Sequence, residues 1–240
     1  MNFCKWGGAA LAAVLVVGCG GGSDTAAGDA YTFVAPPASS SWTYTDTTVD
    51  DAGNIIHGTS RNTVASVSAD GSYAFVHDDP THSSITINGT VYATPTQAIS
   101  DNRSGQDLSS SYTAANGNLV SCTYSPHGAG PDYPVSAGQS WTLSYAVTCG
   151  SSNKFSFAQT GVVIGVDSVT VPAGTYSAVK LQSTLTSTDA AGTTRTETIT
   201  TWRDVVTSVV VERLTNIAYS GTPLVAGHPV TVTSQLQSHS

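Results

Sequence analysis

The densest group of side chains able to do chemistry is the run His77-Asp78-Asp79-Pro80-Thr81-His82, which brings two imidazoles and two carboxylates within six residues. Imidazole nitrogens and carboxylate oxygens are ligands that zinc and related ions take, so His77, Asp79 and His82 are the candidate metal-binding residues. Zinc requires ligands that converge in a fixed geometry, and Asp-Asp-Pro-Thr is equally an ordinary solvated turn at a hairpin tip. A second group, Asp46, Asp50, Asp51 and Asn54, offers oxygen ligands but lacks the regular spacing and glycine placement of a calcium loop, and reads as a hairpin turn.

Signatures of catalysis are sparse. Ser151-Ser152-Asn153-Lys154 has the S-x-x-K spacing of penicillin-recognising serine enzymes, but that motif works at the start of a helix and here it joins two apparent strands. No G-x-S-x-G elbow, H-E-x-x-H helix, P-loop or dinucleotide glycine fingerprint is present. With 32 Ser, 6 His and 14 Asp a triad can always be assembled on paper, so residue types alone assign no catalytic residue. No cofactor is implied. Among the aromatic residues, Trp141, Tyr145, Tyr176 and Trp202, together with Trp42, could line a concave sheet and hold a ligand, while packing in a core is the plainer role.

These side chains must be positioned by a β-rich scaffold. The 240 residues are 40% hydrophobic and only 10% charged, and Ser plus Thr occupy 66 positions. That composition fits neither a highly charged disordered chain nor a collagen-like one. With three Lys and five Arg and a net charge of −8, the chain lacks the clustered cations that phosphate backbones require, which excludes nucleic acid as a partner. Period-two alternation is clearest from Trp141 to Cys149, where Trp141, Leu143, Tyr145, Val147 and Cys149 share one face. Similar runs predict strands over 41–49, 62–68, 72–77, 84–88, 90–94, 119–124, 155–171, 175–188, 193–202, 208–214 and 230–236. Asp70-Gly71, Asn88-Gly89, Asn116-Gly117 and Ala191-Gly192 supply tight turns between them. The expected fold is all-β and mostly antiparallel: a curved sheet, half-barrel or sandwich. Short helices are expected, if anywhere, over 96–111 and 126–138.

Two segments recur at offsets of about one hundred residues. Ser41-Trp42-Thr43 returns as Ser140-Trp141-Thr142, and Gly71-Ser72-Tyr73-Ala74-Phe75-Val76 as Gly174-Thr175-Tyr176-Ser177-Ala178-Val179. Two related halves, 31–125 and 126–240, would account for this, and chance similarity between Thr-rich strands competes with it.

The N-terminus places Lys5 before an apolar run from Gly7 to Gly18 that ends in Val16-Val17-Gly18-Cys19. This is signal-peptide architecture, too short for the roughly 20 residues of a spanning helix. Its end resembles the lipobox of bacterial lipoproteins. The resemblance implies a signal over 1–18, acylation of Cys19, and anchorage to a bacterial membrane through lipid, the outer one because residue 20 is Gly rather than Asp. A Gly-rich tether over 19–30 would follow. Loss of Lys5 leaves seven basic residues against sixteen acidic, a balance of −9, so lipid rather than a basic patch must hold the domain at an anionic bilayer. Cys122 and Cys149 are then the thiols left for an oxidising periplasm, and they are expected to form one disulfide.

The stretch Val171-Pro172-Ala173-Gly174-Thr175-Tyr176-Ser177-Ala178-Val179-Lys180, with Ala137-Gly138-Gln139-Ser140-Trp141-Thr142 upstream, resembles a signature of uncharacterised bacterial envelope proteins. In these a VPAGTF-like turn links two long strands. Trp202 matches the later Trp of that pattern, whereas Thr207 or Ser208 stands where a Gly is usual. The resemblance covers about residues 118–215 and implies an antiparallel sheet with no catalytic residues to carry over. The resulting expectation is a non-catalytic envelope lipoprotein that binds a hydrophobic ligand or an envelope partner. A metal- or serine-dependent hydrolase and a surface-displayed adhesion module are the alternatives.

Overall fold

The computed structural model describes residues 30–79, 84–87, 90–93, 96–114, 116–150, 153–188, 193–221 and 228–240. Every regular element among them is a strand: β1 Ser41–Asp50, β2 Ile55–Val67, β3 Tyr73–Asp78, β4 Ser84–Ile87, β5 Thr90–Ala93, β6 Thr96–Asp101, β7 Asp107–Thr113, β8 Leu119–Ser125, β9 Ser140–Cys149, β10 Asn153–Val171, β11 Gly174–Thr188, β12 Thr194–Asp204, β13 Val210–Ser220 and β14 Pro229–His239. Thr, Val and Ser dominate these segments, and β-branched side chains sit well on a pleated surface.

The sheet closes on itself. Twelve strands form an antiparallel barrel in the order β1-β14-β13-β12-β11-β10-β9-β8-β7-β6-β3-β2, and β4-β5 is a separate two-stranded hairpin leaving one rim between Asp78 and Thr96. This corrects the expected open curved sheet, half-barrel or sandwich. The cause is the last strand, which pairs with the first from Trp42↔His239 to Asp50↔Pro229 and so removes the free edges that an open sheet would expose. The recurring segments lie on β1 and β9 and on β3 and β11, six strands apart in a ring of twelve and therefore on opposite walls.

Alternation sorts the wall. On β1, Trp42, Tyr44, Asp46, Thr48 and Asp50 are buried, while Thr43, Thr45, Thr47 and Val49 between them are less so. The two segments expected as short helices are not helical. Residues 96–111 form the β6 and β7 hairpin, whose turn is set by Asn102: its Oδ1 accepts from the backbone N–H of Ser104 and Gln106, and Gly105 turns at φ 69°. Residues 126–138 form an irregular loop between β8 and β9, pinned by the bridge Tyr31↔Val135.

An eight-strand barrel can be filled by side chains, whereas twelve strands leave more space than side chains span. The rim at which β1 begins, here the entry rim, is stopped by three segments. The long hairpin of β10 and β11 shifts register between Val163 and Gly165, with Gly165 at φ 146°. Its Pro172-Ala173 tip turns over the rim, where the Ala173 N–H donates to Leu236 O at 3.1 Å. Val169, Val171 and Ala178 pack there with Trp42, Tyr44 and Leu236. The second stopper is Phe33, whose ring lies 5.5 Å from Tyr133 and 6.3 Å from Tyr73, with the Arg203 guanidinium 5.6 Å away. A Cβ on Gly105 would come within 2.4 Å of that ring, so only glycine admits Phe33. The third is the 126–138 loop, which buries Val135 completely.

Cys122 and Cys149 form the expected disulfide and are directly opposed across β8 and β9. That ladder has four residue pairs, the shortest in the barrel, so the cross-link sits where backbone pairing contributes least. Closing a loop of about 28 residues stabilises by roughly 3–4 kcal/mol in the chain-entropy view. The Cys122→Ser/Cys149→Ser double variant is expected to lose about 2–4 kcal/mol and to melt roughly 5–15 °C lower by circular dichroism. An unchanged midpoint would show that the barrel closes without the bond.

Candidate functional site

The alternation that builds the wall also builds a polar lumen. At the far rim, inward-facing side chains from β1, β2, β3, β12, β13 and β14 enclose a cavity of about 300 Å³. Asp46 stands on its wall and accepts hydrogen bonds from the Ser60 hydroxyl at 2.7 Å and from the Ser234 hydroxyl. Arg195 pairs with Glu197 at 3.1 Å and leaves its Nε without a partner among the described residues. His77, cross-strand from Asn62, sets its Nδ1 2.7 Å from the Asn62 Oδ1. Burial pushes the His77 imidazole below its ordinary range, opposed by the carboxylates of Asp79, Asp46 and Asp78.

Deeper in, Arg213 of β13 belongs to both this cavity and a second chamber of about 90 Å³. That chamber is walled by Arg203, Gln159, Gln106, Trp141 and Tyr133, among others. Two glutamines fasten its roof. The Gln159 Oε1 accepts from the Gly130 N–H at 2.9 Å and from the Trp141 indole at 3.4 Å, and its Nε2 donates to Ser183 Oγ at 3.1 Å. The Gln106 Nε2 donates to Pro131 O at 2.9 Å. Burial pushes the Arg213 guanidinium below its ordinary range; Glu197 opposes this and Arg203 adds to it. Toward the entry rim, Asp101 and Asp107 face each other across β6 and β7. Burial, then repulsion from Asp107, pushes Asp101 up to about 8, and burial raises Asp107 as well.

The structure brings together only some of the residues singled out by type and spacing. His77 and Asp79 line the far-rim cavity together. Cys19 and His82 lie outside the described residues. Among the described residues no three His, Cys, Asp or Glu side chains are placed to share a metal ion. Asp50 folds back on its own turn, accepting from the N–H groups of Ala52 and Asn54. Trp141 faces the inner chamber with its ring over Gly161, where a Cβ would come within 2.2 Å. Tyr145 is buried and stacked on Phe157 at 4.9 Å. Tyr176 sits at the entry-rim turn against His239. Trp202 is held by Asp167, which accepts from its indole at 3.3 Å, and by Lys180, whose ammonium lies 5.2 Å from the ring centre.

The residues missed are the charged ones. Arg195, Glu197 and Arg203 share the inward side of β12 with Ile199, which is buried, and Arg213 shares that of β13 with Val211, Thr215 and Ile217. Their signal was present as charge sharing a strand face with core residues.

No protein-family profile and no curated protein sequence matches the chain. Solved structures share its fold, two among them at TM-score 0.50. One is a protein named as exported, of YmcC-like fold, from Bacteroides fragilis, with TM-score 0.50, 13% identity, and 88% of this chain aligned with 100% of that one. The other is a protein named as a lipoprotein from Parabacteroides distasonis, with TM-score 0.50, 14% identity and the same coverage. At these identities the likeness is one of fold.

The acid pair gives the protein a pH signature. An unfolded aspartate ionises near 4, whereas folded Asp101 holds its proton to about 8. Between those values the native state binds more protons than the unfolded one, so stability is greatest below about pH 4 in this contribution and falls as pH rises to about 8. The wild-type melting midpoint is therefore expected to fall between pH 5 and 8, and Asp101→Asn to flatten that slope and melt roughly 2–4 °C higher at pH 8. Parallel slopes for the two proteins would refute the assignment.

Proposed function

We propose that this chain is a non-catalytic lipoprotein of the bacterial cell envelope, acylated at Cys19, whose barrel holds a small ligand in its lumen. The observation that carries the reading is the far-rim cavity of about 300 Å³ walled by six strands. A barrel wider than its side chains can fill must be plugged or must hold something, and here the plugs gather at the entry rim. Anchorage rests on the lipobox at 16–19, and on the fold shared with proteins named as exported and as a lipoprotein.

The charged lining favours a polar occupant over the hydrophobic ligand expected from the aromatic residues, several of which are engaged in packing. The outer wall supports a position beside the bilayer rather than in it. On β11 and β12 it presents Gln182, Thr184, Thr186, Thr196, Thr198 and Thr200, the reverse of the apolar band of a membrane-spanning barrel. The described chain enters at the plugged rim, where Tyr31 pairs with Val135. Acylation at Cys19 would hold the plugged rim near the membrane and turn the cavity away from it. Gly20 favours the outer membrane.

Labelled palmitate is expected to enter the wild type and not Cys19→Ser, with the variant leaving the membrane fraction. Persistence of both label and membrane association in the variant would end the lipoprotein reading. Native mass spectrometry of protein purified from its own membrane is expected to show a bound mass released on unfolding, and a clean apo mass would count against a ligand-holding lumen.

A further inference from the structure

We propose that the lumen takes its ligand by an oxyanion, a carboxylate or a phosphate, seated between the guanidiniums of Arg213 and Arg203, with the ligand's polar remainder in the far-rim cavity. This rests on the reading that the lumen holds a ligand, and it specifies which chemistry binds.

Arg213 is cross-strand from Thr201 and Ser234, and so lies on the inward face between two hydroxyl-bearing neighbours. Although the wall surrounds it, it counts among the exposed residues, and the free surface belongs to the two cavities it lines. Among the described residues no carboxylate comes within 4 Å of its guanidinium and no hydrogen bond reaches it. A guanidinium carries five N–H donors in a planar fork that matches a carboxylate or phosphate edge. In the free protein its N–H groups meet the solvent of those cavities and no partner from the wall, so the fork is open to an anion that enters.

The distribution of charge sets the sign of the ligand. The inner chamber is walled by two arginines and by no Asp or Glu. Nearby carboxylates are otherwise engaged: Glu197 by Arg195, Asp46 by two serine hydroxyls, and Asp107 by Asp101. A cation entering the chamber would meet two like charges, and an apolar group would strip the arginines of solvent without replacing it. Further donors converge there. Ser183 accepts from Gln159 and so has its own proton to give, and the Tyr133 hydroxyl is buried without a partner among the described residues.

Size agrees with this. A chamber of about 90 Å³ accommodates an oxyanion head, or a few waters at about 30 Å³ each. The adjoining space of about 300 Å³, lined by the hydroxyls of Thr48, Ser60, Thr215 and Ser234 and by Asp46, Asp79 and Glu197, suits a body that donates hydrogen bonds to hydroxyls and carboxylates.

The test uses the full chain in detergent with inorganic phosphate and acetate as probes, each against chloride at equal ionic strength. Phosphate or acetate at about 10 mM is expected to raise the wild-type melting midpoint by roughly 2–4 °C. Arg213→Met should not respond, and Arg213→Lys, which keeps the charge but loses the fork, should respond less. Whichever probe gives the larger shift names the head group. Without probe, Arg213→Met is expected to melt at or above the wild type. A lower midpoint would make Arg213 a structural support and overturn the proposal, as would an equal probe response in wild type and Arg213→Met or no response in either. A neutral molecule retained equally by wild type and Arg213→Met in native mass spectrometry would sink the oxyanion while leaving the ligand-holding reading intact.

Discussion

The ladder between β1 and β14 is the interaction on which the rest of the structure depends. It joins the first and last strands of the barrel over Trp42 to Asp50, and its formation turns a meander into a ring. Removing both edges satisfies backbone donors and acceptors that would otherwise invite other strands. It also fixes a circumference of twelve strands, and with it an interior too wide for side chains from the wall to fill.

Two features follow from that width. At the entry rim, chain segments do what wall side chains cannot. The Pro172-Ala173 tip, the Phe33 ring and the loop around Val135 bring apolar mass over the opening, and these three insertions organise much of the apolar core. At the far rim, where the β4 and β5 hairpin leaves between Asp78 and Thr96, the lumen carries Arg, Asp, Glu, Ser and Thr instead. The bend in the β10 and β11 hairpin at Gly165 connects the two features, because it lets one pair of long strands serve as wall along half its length and as plug along the rest.

The lumen electrostatics carry the functional reading. Three of the five arginines point inward, and they are treated differently: Arg195 is paired with Glu197, Arg203 donates to Ser208 O at 3.0 Å and faces the Phe33 ring, and Arg213 has neither kind of partner within bonding reach. An asymmetry of this kind has no explanation in fold stability, since a paired or apolar residue would fit the wall at lower cost. It has one in recognition, where an unsatisfied fork held in place by the wall is ready for a complementary group.

Strand identity was legible residue by residue: the alternation of Trp141, Leu143, Tyr145, Val147 and Cys149 is the inward face of β9, and the pairing of Cys122 with Cys149 followed from counting thiols. Alternation and turn chemistry are local, so the chain states them directly. The short helix expected over 96–111 failed because Asn102 and Gly105 close a hairpin whose strands take their stability from β3 and β8 on either side. Closure of the ring and the folding of the β10 and β11 tip over the rim depend on contacts between residues far apart in the chain. No period or motif encodes such contacts. The sequence by itself determined an all-β chain with a lipobox and one cross-link, whereas only the tertiary structure decided that its charged strand positions would share one enclosed lumen. The physical reason is that alternation assigns a side chain to a face, and only closure makes that face an inside.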